Sequence, residues 1–386
     1  MTKIIANYLP QYHCIPENDK WWGKGYTDWV AVKKSVSLYK GHKQPKIPKD
    51  NNYYNLNDVE TIRWQVEKAK KNGIDGFGIY HYWFNDSLHL LDTPPKLLKD
   101  NKDIKIEYMF IWDNSSWVRS WSNIKKTNDW APLYEQENKV DKQGRGILAE
   151  LIYGGENSWK LHFDYLLDFF KDERYIKIDN KPVFAIFNQN NDSDTLVKMF
   201  EYWDKLAVKN GFNGIYIIGK RNNEGIKVTK HEFLYQPEWS GWLYHNKIEH
   251  FISKIRKEII VRFTKHPLFG DYDKIWNKII KCAESNINED VCFSGFVSYD
   301  DTPRRGKKGR VIKNASPVKF EKYIEKLIKI SKNKPFLFIT AWNEWGEGAY
   351  LEPDEENGLL YLESLKRAVD NSFENETEDN KINWVR

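Results

Sequence analysis

Two acidic residues three positions apart, Glu344 and Glu347, stand in the stretch Asn343-Glu344-Trp345-Gly346-Glu347-Gly348. They follow the apolar run Pro335-Phe336-Leu337-Phe338-Ile339-Thr340-Ala341-Trp342, which reads as a buried strand. The pair therefore falls where a strand ends, beside Trp342 and Trp345 and beside glycines that let the chain turn sharply. A carboxyl packed on an indole loses solvation, so its pKa rises and it can act as a general acid near neutral pH. A second carboxyl beside it can take the base role, and such pairs cleave glycosidic bonds. A glutamate's ordinary uses are a helix cap or a salt bridge. Strand-end position and the tryptophan bracket favour chemistry here.

Such a pair needs a scaffold. Strands are expected at Lys3–Tyr8, Gly76–Trp83, Ile106–Trp112, Pro182–Asn188, Gly214–Lys220, Phe233–Gln236, Phe293–Tyr299 and Pro335–Trp342. Helical periodicity lies between most of them, at Val59–Asn72, Ser158–Lys171, Ser193–Asn210 and Val318–Lys332, and follows them at Gly358–Ser372. Eight strands alternating with helices predict an α/β fold, a single (β/α)8 TIM barrel. The chain has 386 residues, against about 250 for a plain barrel. The surplus predicts long βα loops, at Leu9–Asp58 and Asp113–Asn157, and an insertion at Trp239–Asp290 with two extra helices, Lys247–Val261 and Tyr272–Glu284. Residues 1–370 are expected to form the catalytic barrel and 371–386 a polar tail.

Barrel enzymes carry their sites at the C-terminal ends of the strands, and here those ends are rich in aromatic and polar residues. The expected substrate-binding set is Tyr8, Gln11, His13 and Trp22 after the first strand, and His81, Tyr82 and Trp83 at the second. Trp112, Asn114, Trp117 and Arg119 follow at the third, and Gln236 and Glu238 at the sixth. Tyr299, Asp300 and Arg304 belong to the seventh, and Asn343 and Trp345 to the eighth. Aromatics make up 15% of the chain. The C–H face of a sugar packs on an indole or phenol, while its hydroxyls need directed polar partners.

Several function classes are excluded or weakened. A formal charge of +5 does not imply nucleic acid at this length. The run Arg304-Arg305-Gly306-Lys307-Lys308-Gly309-Arg310 reads as a solvated loop near the barrel mouth, with Arg304 in reach of an acidic or phosphorylated group on the substrate. Asp192-Ser193-Asp194 and Asp271-Tyr272-Asp273 match the D-x-D pattern of some glycosyltransferases, but each precedes a helix and reads better as an N-cap. There is no phosphate-binding glycine loop, no G-x-S-x-G and no H-E-x-x-H, and His245 and His250 are poorly spaced for one metal. Three scattered cysteines make no framework. No metal, cofactor or transmembrane segment is expected, and the location expected is cytoplasmic.

The stretches Tyr8-Leu9-Pro10-Gln11-Tyr12-His13, Trp21-Trp22-Gly23-Lys24-Gly25-Tyr26-Thr27-Asp28-Trp29, Tyr80-His81-Tyr82-Trp83-Phe84, Asp301-Thr302-Pro303-Arg304-Arg305-Gly306 and Ala341–Pro353 resemble the WbsX-like family. That family is related to glycoside hydrolase family 99, whose fold is a (β/α)8 barrel, and its members are often labelled glycosyltransferases. The resemblance implies retaining glycoside cleavage. Glu344 would deprotonate the sugar 2-hydroxyl, which attacks the anomeric carbon to give a 1,2-anhydro sugar. Glu347 would protonate the leaving oxygen and then deprotonate water. Family 99 commonly carries a bulkier polar residue where this chain has Gly346, which implies different substrate contacts. The expected partner is a glycan, with an anionic or lipid-linked one among the candidates, acted on by a hydrolase or transglycosylase. The alternatives are a glycosyltransferase of O-antigen or capsular polysaccharide assembly, and an inactive glycan-binding barrel.

Overall fold

The computed structural model describes residues 2–118, 146–243, 252 and 266–382. Eight strands form in it: Lys3–Tyr8 (β1), Gly76–Asn85 (β2), Glu107–Trp112 (β3), Lys181–Ile186 (β4), Tyr216–Lys220 (β5), His231–Phe233 (β6), Val291–Phe296 (β7) and Phe336–Thr340 (β8). All but the short β6 are rich in β-branched or aromatic residues, and the strands are largely buried on both faces, as parallel strands under a helical layer must be. Every consecutive pair is parallel. β8 returns to β1 with Lys3 opposite Phe336 and Ala6 opposite Ile339, so the sheet closes into a barrel and has no free edge.

Helices cover the outside. Val59–Lys71 follows β1, Thr93–Asp100 follows β2, Glu156–Phe170 follows β3 and Ser193–Lys209 follows β4. Tyr272–Ser285 follows β6, Pro317–Ile330 follows β7 and Leu360–Ile382 follows β8. The last of these runs on into the segment expected as a tail. β5 and β6 are joined by residues 221–230 without a helix. Asp192 accepts from the Thr195 N–H and Asp271 from the Lys274 N–H, so both D-x-D matches are helix caps. The expected insertion helix Tyr272–Glu284 is present, whereas Lys247–Val261 lies almost wholly outside the described residues. Among the described residues no helix is long and apolar enough to cross a membrane.

The barrel's closing seam is fixed at its top by Asn343. Its Oδ1 accepts from the Leu9 N–H at 2.7 Å and its Nδ2 donates to the Leu9 carbonyl at 3.0 Å. One fully buried amide thus pairs both backbone groups of the residue just past β1. Asn343→Ala would strand those two groups, each at about 1–3 kcal/mol. Chemical denaturation should show a loss of about 2–5 kcal/mol, with the native fold retained.

Candidate active site

Beyond β8 the chain doubles back. Asn343–Glu344 pairs antiparallel with Ala349–Tyr350 around the single tight turn Trp345–Glu347. Gly348 supplies the left-handed residue that closes it, at φ 56°. The turn is held from several sides. The Tyr12 hydroxyl donates to the Asn343 carbonyl at 2.5 Å and accepts from the Trp345 N–H at 3.1 Å. The Glu347 carbonyl accepts from the Asp300 N–H at 2.6 Å. The Trp345 indole stacks on Tyr350, with centroids 3.7 Å apart, and donates to Glu352 at 2.7 Å. Glu352 also accepts from Gln65 and Tyr54, and burial pushes its carboxyl up to about 7.

Glu344 and Glu347 meet at one guanidinium. Arg304, at the end of the short helix Thr302–Arg305 after β7, donates through Nη1 to Glu347 at 2.9 Å and through Nη2 to Glu344 at 3.1 Å. The same Nη2 donates to Asp28 at 2.6 Å. Asp28 opens the helix Asp28–Lys34 in the long loop after β1. Side-chain exposure is 0% for Asp28, 6% for Glu344, 9% for Arg304 and 20% for Glu347, so Glu347 is the member nearest solvent. Burial pushes the Glu344 carboxyl up to about 8, against the pull of Arg304 and with the push of Glu347 and Asp28. Burial works against the charge on Arg304, but its three carboxylate neighbours hold it well above the ordinary arginine range. A Cβ at Gly346 would fall 2.4 Å from Arg304 Nε and 2.6 Å from Asp28 Oδ2. Gly346 is therefore the residue that lets the clamp close against the turn.

The clamp forms one wall of a cleft of about 230 Å³. Of the expected residues, Gln11, Tyr82, Trp117, Arg304, Glu344 and Glu347 line it. Leu9, Tyr80, Asp113, Phe187 and Tyr235 line it too and were absent from the expected set. The Tyr80 and Tyr235 hydroxyls are 3.2 Å apart across the floor. Period-2 alternation puts Tyr80 on the same face as Tyr82 and Asp113 on the face opposite Trp112, but it does not say which face points inward. Asp28 carried no such signal.

Other expected residues lie elsewhere. His81 and Trp83 point to the helical layer, where His81 Nε2 sits 2.8 Å from His162 Nε2 and Trp83 stacks on His162 at 4.4 Å. Trp112 packs on His162 and Trp203 and donates to the Trp83 carbonyl. Tyr8 points outward and donates to Gln65. Asn343 and Trp345 brace the turn that bears Glu344 and Glu347, and Asn114 ties the top of β3 to Asn188. Gln236 pairs with Ser240, Glu238 with Lys220, and Asp300 with His42, Gln44 and Thr302. Tyr299 packs on Trp242, Trp22 on Tyr26, and His13 is buried, its imidazole held down to about 4 by desolvation. Arg119 lies outside the described residues. The expectation that Arg304 reaches an anionic substrate group is corrected: its guanidinium bonds the protein's own carboxylates.

Among the described residues no group of three or more His, Cys, Asp or Glu could hold a metal ion. Residues 4–365 match the sequence profile of the family described as "Glycosyltransferase WbsX". The chain belongs to the WbsX family. WxcX of Xanthomonas campestris pv. campestris strain B100, described as an uncharacterized protein, is 25% identical over 377 residues, 95% of this chain and 49% of WxcX. Its counterpart in strain ATCC 33913 is 26% identical over 373 residues. The chain thus spans about half the length of these relatives. Among solved structures, the family 99 endo-α-mannosidase of Bacteroides thetaiotaomicron is similar over 97% of this chain and 98% of that one, at 14% identity and a TM-score of 0.57. A glycoside hydrolase-like protein gives 0.54, also at 14% identity, over 95% of this chain and 93% of that one. At that identity the likeness shows the WbsX chain's barrel and not its activity.

Removing the clamp's cation should be costly. Arg304→Met leaves the buried carboxyls of Asp28 and Glu344, and the half-buried one of Glu347, without their counter-charge, and breaking such a cluster costs about 3–5 kcal/mol. The Glu344 carboxyl, already raised by burial, would rise further, so the folded state holds a proton that the unfolded state releases. Stability is then kept at low pH and lost as pH rises. Urea denaturation should show the full loss near about pH 8 and much less near about pH 5.

Proposed function

We propose that this WbsX protein is a retaining glycoside hydrolase or transglycosylase acting on a bacterial polysaccharide or oligosaccharide. The observation that carries the reading is the pair Glu344 and Glu347, facing one aromatic-walled cleft and bonded to a single guanidinium. Glu344 takes the proton of the sugar 2-hydroxyl, whose oxygen attacks the anomeric carbon as the glycosidic C–O bond breaks. Glu347 gives its proton to the leaving oxygen. A water or glycan hydroxyl then attacks the same carbon while Glu347 takes its proton, the three-membered ring opens, and Glu344 returns the first proton. Two displacements at one carbon give net retention.

In each half-cycle one carboxyl loses a proton and the other gains one. Arg304 bonds both, so the negative charge passes between them without a change of counter-ion. Burial disfavours two charges on the pair, which is the reason for a single shared proton at neutral pH. The cleft is small beside the roughly 300–1,000 Å³ of typical ligand sites, which suits one or two sugar rings. The family 99 enzyme, an endo-α-mannosidase solved with bis-tris propane, offers the same reaction class.

The second reading, glycosyl transfer from an activated donor, draws on the family's description. Among the described residues the cleft lining has one cation, Arg304, already bonded to three carboxylates. A nucleotide diphosphate would enter without counter-charge, so hydrolysis is favoured over a nucleotide-sugar version.

Glu347→Gln should lower turnover of a cleaved glycan by a factor on the order of 10²–10⁴, and undiminished hydrolysis would remove its role. The shared proton also fixes the sign of the pH dependence. Burial pushes Glu344 up to about 8, so the last proton of the coupled pair is lost above that pH. In the wild-type enzyme, kcat/KM should fall as pH rises through about 8, and a rise through that range would contradict the scheme.

A further inference from the structure

We propose that Asp113 is a substrate-binding carboxylate that fits the cleft to a polyhydroxylated unit that is uncharged or carries an amine, and against one bearing phosphate or carboxylate. The inference rests on the reading that the cleft receives a glycan, and it deepens that reading to a charge class.

Trp112 ends β3 facing the helices, so the next side chain turns back into the barrel mouth. The Asp113 N–H bonds the His81 carbonyl at 3.0 Å, which extends the ladder one residue past the strand and fixes where the carboxylate starts. Trp117 and Ser115 stand beside the carboxylate as donors and favour its charged form. Two donors orient the group and leave lone pairs for the cleft it lines. Asp113 and Glu344 both act on the buried Tyr82 phenol, so the three form one polar wall.

Among the described residues, the ionisable side chains lining the cleft are Asp113 and the glutamate pair, which shares one proton, against Arg304 alone. That guanidinium is bonded to three carboxylates. Lys220, the cation that acts on Asp113, is bonded to Glu238 at 2.9 Å and is not part of the lining. Burial pushes Asp113 up to about 6, which leaves it ionised at about pH 7.5. An anionic group entering here meets carboxylates, whereas hydroxyls and ammonium groups find acceptors. The aromatic walls act in the same direction, since ring faces attract cations and pack on the C–H faces of sugars.

Isothermal titration at about pH 7.5 tests this with two probes, bis-tris propane, a polyol carrying amines, and glucuronate, a pyranose carrying a carboxylate. Wild-type protein should bind bis-tris propane and give no saturable heat with glucuronate. Asp113→Asn should weaken bis-tris propane by roughly 10–100-fold, the worth of a hydrogen bond to a charged group. Its melting temperature reports whether the fold is kept. If it does not fold, Asp113→Glu moves the charge by one methylene and should still weaken the probe. Wild-type affinity in the folded variant, no bis-tris propane binding by wild type, or glucuronate binding as tightly would each overturn the proposal. Glu347→Gln keeps Asp113 and should still bind bis-tris propane. Loss of the Asp113 effect with an inactive Glu347→Gln enzyme would remove this subsite and leave the hydrolase reading. Full turnover by Glu347→Gln with the Asp113 effect intact would do the reverse.

Discussion

One guanidinium organises the top of this barrel. Arg304, from the loop after β7, bonds Asp28 from the loop after β1 and Glu344 and Glu347 from the turn after β8. Three segments distant in sequence are joined at one cation in a largely dehydrated setting. Desolvating four charged groups is costly, and the cluster persists because each charge meets an opposite one at hydrogen-bond distance. The cation decides the rest of the local design. Gly346 has no side chain because Arg304 and Asp28 occupy its space. The turn bearing the two glutamates is braced from below by Tyr12, Asn343 and the Trp345–Glu352 bond, so the carboxyls are presented on a fixed frame.

A second constraint is the pleat of the strands. Along β2 the side chains of Tyr80 and Tyr82 turn into the cleft, while His81 and Trp83 turn into the helical layer and pack on His162. The same rule sends Trp112 outward and Asp113 inward at the top of β3. Aromatic richness at the strand ends thus serves two purposes. Half of it walls the cleft, and half packs the barrel against its helices.

The architecture was legible because every strand is a short apolar run with period or burial suited to a parallel barrel, and all eight formed at the expected places within a few residues. That Glu344 and Glu347 sit on a turn just past β8 was legible from the apolar run before them and the glycines beside them. The division of strand-end residues between cleft and shell was not. It depends on which of two alternating faces points inward, and an apolar run buried on both sides leaves no polar pattern to mark the phase. His81 and Tyr82 look equally suited to a sugar until the barrel closes. Asp28 was hidden for another reason. It lies in a long loop after β1, and its partner Arg304 is far along the chain. Arg304 itself was legible as a residue near the mouth, but a basic run does not disclose that one of its cations is consumed internally.

A crystal structure of the Glu347→Gln enzyme with an oligosaccharide that the wild type cleaves tests the central claim most directly. The account predicts a glycosidic oxygen within about 3 Å of the residue 347 side chain and the adjoining 2-hydroxyl within about 3 Å of Glu344, with Arg304 still bonded to Glu344. A scissile bond seated elsewhere, with the clamp closed and the cleft empty, would contradict it.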